Sequence, residues 1–190
     1  MKIEPAELAF DIDGVVADTM HLFLAIARSD FGINTARYED IVDYDLRNCL
    51  DIPEDVMTEI ILRIVGGGYG HPLRPIGDAA RVISRLNDRH RPTLFVTARP
   101  EKEHIAGWLC ENLDVSPDAI TVVATGSFEK KREVLTENRI RYFVEDRLET
   151  CYLLAEAGVA PIVFRQPWNR KSHPFAEVSG WDEIEAMVAM

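Results

Sequence analysis

The run LAFDIDGVVAD places Asp11 and Asp13 two residues apart at the end of an apolar stretch, followed by Gly14 and a third acid, Asp18. In an extended chain Asp11 and Asp13 point broadly the same way, while Ile12 turns aside into apolar packing. Carboxylates held that close repel, and a divalent cation relieves the repulsion. Oxygen-only ligation of this kind suits Mg2+ rather than zinc. Taken alone, Asp13-Gly14 also reads as a hairpin turn. An EF-hand is excluded by spacing: with Gly14 at the sixth loop position, Ala9 would be first and Met20 twelfth.

Such acids do chemistry only if a scaffold brings partners to them. Short, nearly continuous apolar runs recur at Leu8 to Ile12, Thr93 to Thr97, Ala119 to Val123, Tyr142 to Val144 and Pro161 to Phe164, as expected of strands covered on both faces. Between most of them lie stretches with helical periodicity: Gly77 to Asn87, Glu101 to Leu113, Glu129 to Asn138 and Leu148 to Glu156. This alternation predicts an α/β fold, a doubly wound parallel sheet. From Thr19 to Pro72 it breaks, because MHLFLAIARSDFG and PEDVMTEIILRIV read as helices with no convincing strand between them. The expected organisation is a core of residues 1–18 and 73–190 with a helical cap, 19–72, inserted after the first strand; GGGYGHP is its flexible return. The alternative is that these helices simply cover one sheet face.

Open parallel sheets bind ligands beyond the carboxyl ends of their strands. Read there, the chain offers Asp11 and Asp13, then Thr97, then Thr125 and Gly126, then Glu145 and Asp146. GGGYG does not follow a strand and GSFEKK is not GxxxxGK, so neither is a nucleotide loop. Five histidines show no ligand spacing, and His71 beside Pro72 reads as a solvated loop residue that could touch substrate.

Composition narrows the partners. A formal charge of -11, with KKR at Lys130 to Arg132 as the longest basic run, disfavours a nucleic-acid polymer. Three separated cysteines argue against a disulfide framework and for a reducing, cytoplasmic setting. No apolar stretch approaches the ~18 residues of a membrane span, so no membrane partner is expected.

DIDGVVAD, VTAR, a lysine at the start of a later helix and VEDR resemble, in order, the four motifs of the haloacid dehalogenase-like hydrolases, whose core is Rossmann-like. The resemblance spans Asp11 to Asp146. It implies a Mg2+-dependent phosphatase in which Asp11 attacks phosphorus and forms an aspartyl-phosphate. Asp13 would protonate the leaving oxygen and then activate the hydrolytic water. Two close carboxylates titrate apart, which suits those unequal roles. Thr97 and a lysine would hold the phosphoryl oxygens, with Ala98 and Arg99 beside them. Lys130 or Lys131 could be that lysine; Lys131 is preferred, since it lies three and four residues before Val134 and Leu135 on the helix's inner face. Metal ligands would be Asp11, the Asp13 carbonyl and Asp146, with Glu145 as the alternative direct ligand. Relatives resembling true dehalogenases lack an acid at the position of Asp13 and need no metal.

A cap placed after the nucleophile strand resembles those that select small soluble phosphate esters. VTARP, EDR with Leu148 and Glu149, FRQPWNR and SGWDEIEAM further resemble bacterial relatives of the 5'(3')-deoxyribonucleotidases, where a Pro-aromatic-Asn element, here Pro167, Trp168 and Asn169, follows the last core strand. Glu145-Asp146 departs from the Asp-Asp expected there. The leading substrate is a nucleoside monophosphate, with one or two of Phe23, Tyr38, Tyr44 and Tyr69 reaching the ligand. The runner-up is a sugar phosphate or other small phosphorylated metabolite, and a catalytically silent ligand-binding or partner-binding module is the reading from a different class. WDEIEAMVAM reads as an amphipathic packing helix.

Overall fold

The structure is a computed structural model that describes residues 2–68 and 70–189; Tyr69, one of the expected cap aromatics, lies outside them. Six strands form one sheet: β1 (Leu8–Phe10), β2 (Thr93–Thr97), β3 (Ile120–Ala124), β4 (Tyr142–Glu145), β5 (Ala160–Phe164) and β6 (Ala176–Val178). Their order is β3-β2-β1-β4-β5-β6, and every pairing is parallel. The chain leaves β1 toward β2 on one side and later returns at β4 on the other. The crevice between the carboxyl ends of β1 and β4 is therefore the point at which such sheets hold ligands.

Alternate strand residues feed two separate cores, which is why the runs are apolar without interruption. Leu8, Phe10 and Phe95 join Trp181 and Ile184 of α7 (Trp181–Met187) on one face, together with Val82 and Ile83 of α3 (Ala79–Arg89) and Ile105 of α4 (Glu103–Leu113). Ala9, Leu94, Val96 and Phe143 pack on the other with Leu135 of α5 (Lys131–Glu137) and Leu154 of α6 (Leu148–Glu156).

Between β1 and α3 lie α1 (Thr19–Phe31), two short 3-10 turns and α2 (Glu54–Val65), with no strand among the described residues. Asp18, the third acid of the opening run, caps α1: its carboxylate accepts the His21 N–H at 3.4 Å. Gly32 ends the helix in the left-handed conformation. Leu22, Phe23, Ile26, Met57, Ile60 and Ile64 belong to the same apolar cluster as Phe10 and Trp181.

Several boundaries shift from the sequence reading. β1 stops at Phe10 rather than Ile12, because Ile12 to Ala17 curl into a tight loop whose Ile12 carbonyl accepts the N–H groups of Val16 and Ala17 at 2.9 and 2.8 Å. The terminal helix ends at Met187, where Val188 turns extended and bridges to Ile3. β6 has no counterpart in the sequence reading. Its three residues, AEV, are too few and too polar to show a pattern, and pairing with β5 makes them a strand.

Candidate active site

The first carboxylate is fixed by the strand that ends beneath it. The Asp11 N–H continues the ladder to the Val144 carbonyl at 2.9 Å, and its Oδ1 accepts the Ile12 N–H at 2.8 Å. Its Oδ2 meets the Lys131 ammonium at 2.9 Å. Lys131 opens α5, is wholly buried, and reaches Glu145 Oε2 at the same distance. The adjacent Lys130 stands exposed at the helix N-cap, so only one of the two candidate lysines meets the acids.

Glu145 and Asp146 are distinguished by what they already hold. Glu145 gives Oε2 to Lys131, and its Oε1 accepts the N–H groups of Asp146 and Arg147 at 3.1 Å each. Asp146 Oδ2 accepts the Trp168 indole N–H at 2.9 Å, while its Oδ1 is buried with no hydrogen-bond partner. An orphaned buried acceptor costs about 1–3 kcal/mol. Acceptor oxygens of Asp11, Glu145 and Asp146 lie within 4.8 Å of one another.

Three buried carboxylates thus face one ammonium. Burial, reinforced by Glu145, pushes the Asp11 carboxyl well above the ordinary range despite Lys131. Burial with Glu145 and Asp11 does the same to Asp146. For Glu145 burial also opposes the charge, but Lys131 and the backbone donors hold it below the usual value. Lys131 is desolvated too, yet Asp11 and Glu145 raise it and keep it charged. The negative excess, the all-oxygen donor set and the orphaned Asp146 Oδ1 fit a hard divalent cation.

Asp13 faces elsewhere. Arg99 grips it with Nε to Oδ2 at 2.9 Å and an Nη to Oδ1 at 2.7 Å, and the Thr19 hydroxyl donates to Oδ1 at 2.6 Å. Burial works against the charge, but these donors hold Asp13 below the usual carboxylate range. Arg99 also donates to the Ile64 carbonyl at 3.0 Å, so it touches the end of α2 as well as the core. The expectation that Arg99 binds substrate meets a guanidinium already engaged with Asp13. Thr97 is buried at the end of β2; its hydroxyl accepts the Arg99 N–H at 3.2 Å, and it lines the cleft with Ala98. The Thr97 carbonyl accepts both the N–H and the hydroxyl of Thr125 at 2.9 Å, and Arg99's carbonyl accepts the Gly126 N–H at 3.0 Å. The β3 end therefore braces this loop from behind.

These groups floor a cleft of about 660 Å3, within the usual range for small-molecule sites. Met20, Phe23, Met57, Ile61, Leu62 and Val65 form its apolar wall, and Tyr44 of the inserted segment lines it together with Phe128 and Arg147 of the core. The Arg147 guanidinium lies over Phe128 at 4.2 Å and over Tyr44 at 5.1 Å. Of the expected aromatics, Phe23 and Tyr44 line the cleft, whereas Tyr38 donates instead to Gln166 at 2.6 Å. His71 is engaged by Ser29 at 2.8 Å, outside the cleft lining.

Sequence reasoning quoted Trp168 and Asn169, and within the VEDR and FRQPWNR runs Arg147 and Gln166, only as part of a resemblance, gave the last two no role, and missed Thr19. Trp168 and Asn169 are far from Asp146 in sequence, and their signal was the PWN element itself. Gln166 stood beside that element without a role, and Thr19 carried no signal.

A sheet of this order, with paired acids beyond β1, a threonine ending β2, a lysine opening α5 and acids at and just past the end of β4, defines a haloacid dehalogenase-like hydrolase. Solved structures share the fold. A haloacid dehalogenase-like family hydrolase from Streptococcus pneumoniae superposes with TM-score 0.63 at 14% identity, covering 94% of this chain and 96% of its own. A predicted phosphoglycolate phosphatase from Haemophilus somnus 129pt gives 0.59 at 16%, covering 93% and 95%. A putative haloacid dehalogenase-like hydrolase from Burkholderia xenovorans LB400 gives 0.58 at 18%, covering 95% and 94%. No curated protein matches the chain.

The family model described as 5' nucleotidase, deoxy (pyrimidine), cytosolic type C protein matches residues 5–190, and the chain belongs to that family. It is a phosphoric monoester hydrolase acting on small phosphate esters. Among the described residues no helix is long and apolar enough to cross a membrane.

Proposed function

We propose that the protein is a Mg2+-dependent phosphomonoesterase that hydrolyses a nucleoside monophosphate, with residues 19–72 acting as a cap over the cleft. The observation that carries the chemistry is the junction at the β1 and β4 ends. There Asp11 is held by Lys131, beside an Asp146 whose Oδ1 has no protein partner.

In the first half-reaction an Asp11 carboxylate oxygen attacks phosphorus, the bond from phosphorus to the ester oxygen breaks, and protonated Asp13 gives its proton to the departing alcohol. In the second, Asp13 as carboxylate takes a proton from the water that attacks the aspartyl-phosphate, releasing phosphate and restoring Asp11. The geometry seen, with Asp13 ionised against Arg99 and Thr19, corresponds to the second form. Lys131 keeps Asp11 oriented and offsets charge on the phosphoryl group, while Thr97 and Ala98 form the neighbouring wall. Asp11, Asp146 and the Asp13 carbonyl would hold Mg2+. Bound there, it would offset the burial and the neighbouring Glu145 charge that together raise the Asp11 carboxyl, and would help stabilise charge on the phosphoryl oxygens.

The wall opposite supports the substrate class. Met57, Ile61, Leu62 and Val65 offer surface for a flat, weakly polar ring such as a nucleobase, and few partners for the hydroxyls of a sugar. A sugar phosphate is the second reading, favoured by Asp45, Arg47 and Glu54 at the cleft margin. Phosphate release with and without Mg2+, across ribo- and deoxyribonucleoside 5'- and 3'-monophosphates and several sugar phosphates, separates the two. A Mg2+-dependent preference for nucleotides supports the proposal. Better turnover of sugar phosphates keeps the mechanism and overturns the substrate. Silence throughout, no different from Asp11→Asn, favours a binding module.

A further inference from the structure

We infer that Trp168 is a positioning residue for the cation: its indole N–H occupies one oxygen of Asp146 so that the other is presented to the metal. This rests on the metal reading above and adds a residue outside the expected ligand set.

The element after β5 is built around Asp146 from three directions. Trp168 donates to Asp146 Oδ2 at 2.9 Å, and both groups are buried. Asn169 Nδ2 donates to the Asp146 carbonyl and the Phe164 carbonyl at 2.8 Å each, tying the ligand's backbone to the end of β5. Asn169 Oδ1 in turn accepts the Gln166 N–H at 2.9 Å, which closes the turn on itself. Gln166 Nε2 donates to the Gly14 carbonyl at 2.6 Å. Gly14 sits at φ +75°, and a Cβ there would lie 2.2 Å from Asp146 Oδ2. The loop after the nucleophile therefore presses against the very oxygen that the indole holds.

A carboxylate with two free oxygens can rotate, and both compete for protons and cations. Here Oδ2 is engaged by a neutral donor that leaves the charge in place, and the Gly14 backbone crowds it closely enough that a Cβ would not fit. The buried Oδ1 is the acceptor left over. An indole suits this task because it donates only, is rigid, and carries no charge to cancel that of the ligand. Groups that orient a metal's carboxylate ligand in this way typically govern 10- to 100-fold in affinity. The arrangement also reaches residues 19–72, since Tyr38 donates to Gln166 at 2.6 Å and packs edge-on to Trp168 at 6.0 Å.

Trp168→Phe keeps an aromatic ring and removes the donor. Its Mg2+ dissociation constant, measured by calorimetry without substrate, is expected to rise roughly 10- to 100-fold. The melting temperature of the metal-free protein is read beside it, since a purely structural role would lower that temperature and leave affinity in the folded fraction unchanged. Should Trp168→Phe fail to fold, Asn169→Ser tests the same turn through the Asp146 carbonyl and is expected to weaken Mg2+ in the same sense. A folded variant that binds Mg2+ as tightly as wild type, or more tightly, overturns this inference alone. Wild type that hydrolyses esters yet binds no Mg2+ overturns the metal reading and this inference with it.

Discussion

The cleft has two walls that differ in how completely their polar groups are engaged. On the strand-end wall, Lys131 joins Asp11 to Glu145, Arg99 and Thr19 hold Asp13, and Trp168 holds Asp146, all through contacts between 2.6 and 2.9 Å. On the facing wall, α2 buries Met57, Ile60 and Ile64 yet still turns Ile61 and Leu62 outward, 45% and 65% exposed. A helix apolar toward both the core and the cleft is unusual for a surface element. The difference sets a strand-end wall whose polar groups are held in fixed pairs against an α2 wall that offers mainly apolar surface; under the proposed mechanism the first would carry the reaction and the second would influence which ester is accepted.

The sharpest way to break this division is to remove the proposed nucleophile. Asp11→Asn is expected to lower phosphate release by at least about 10^4-fold with the fold retained, the scale seen when a reacting group is deleted. Residual turnover near wild type would move the chemistry elsewhere.

Lys131→Met comes next. It removes the ammonium that Asp11 and Glu145 share and strands Glu145 as a buried, uncompensated charge, so stability should fall by about 3–5 kcal/mol in urea denaturation of the metal-free protein. Turnover should fall about 10^2- to 10^3-fold. A change confined to either readout would separate the structural from the electrostatic task of this lysine.

Gly14→Ala sharpens the comparison from the loop side. The new Cβ would collide with Asp146 Oδ2 at a positive φ, so a loss of about 1–3 kcal/mol is expected together with weaker Mg2+ binding. The smallest effects belong to the other wall. Ile61→Ser and Leu62→Ser should change stability by no more than about 0.5 kcal/mol, since both side chains are exposed. They should raise KM for the preferred ester by roughly 3- to 10-fold at constant kcat, the pattern of lost uniform binding.

The two walls were not equally legible in the sequence. Strands buried on both faces leave continuous apolar runs, so β2 was read to the residue and the acids near the ends of β1 and β4 stood out as interruptions, although the first run was carried two residues past β1. Lys131 could be preferred over Lys130 because helix periodicity is local. What eluded the sequence was tertiary: the Arg99 grip on Asp13 spans 86 residues, and Gln166 reaches Gly14 across 152. No local pattern encodes such pairings. The α1 and α2 helices were recognisable, but which of their outward residues meet the cleft follows from tertiary packing that periodicity does not define. Asp18, which looked like a third member of the acidic set, is a helix cap.

The central claim is that Asp11 becomes covalently phosphorylated at the junction of β1 and β4. Rapid quenching during turnover, reduction with borohydride and peptide mass spectrometry would test it directly, because an acyl-phosphate is reduced to an alcohol while a free carboxylate is not. The account predicts reduction at Asp11 alone, absent without substrate. Turnover with no reducible carboxylate, or with reduction at Asp13, Glu145 or Asp146 instead, would contradict it.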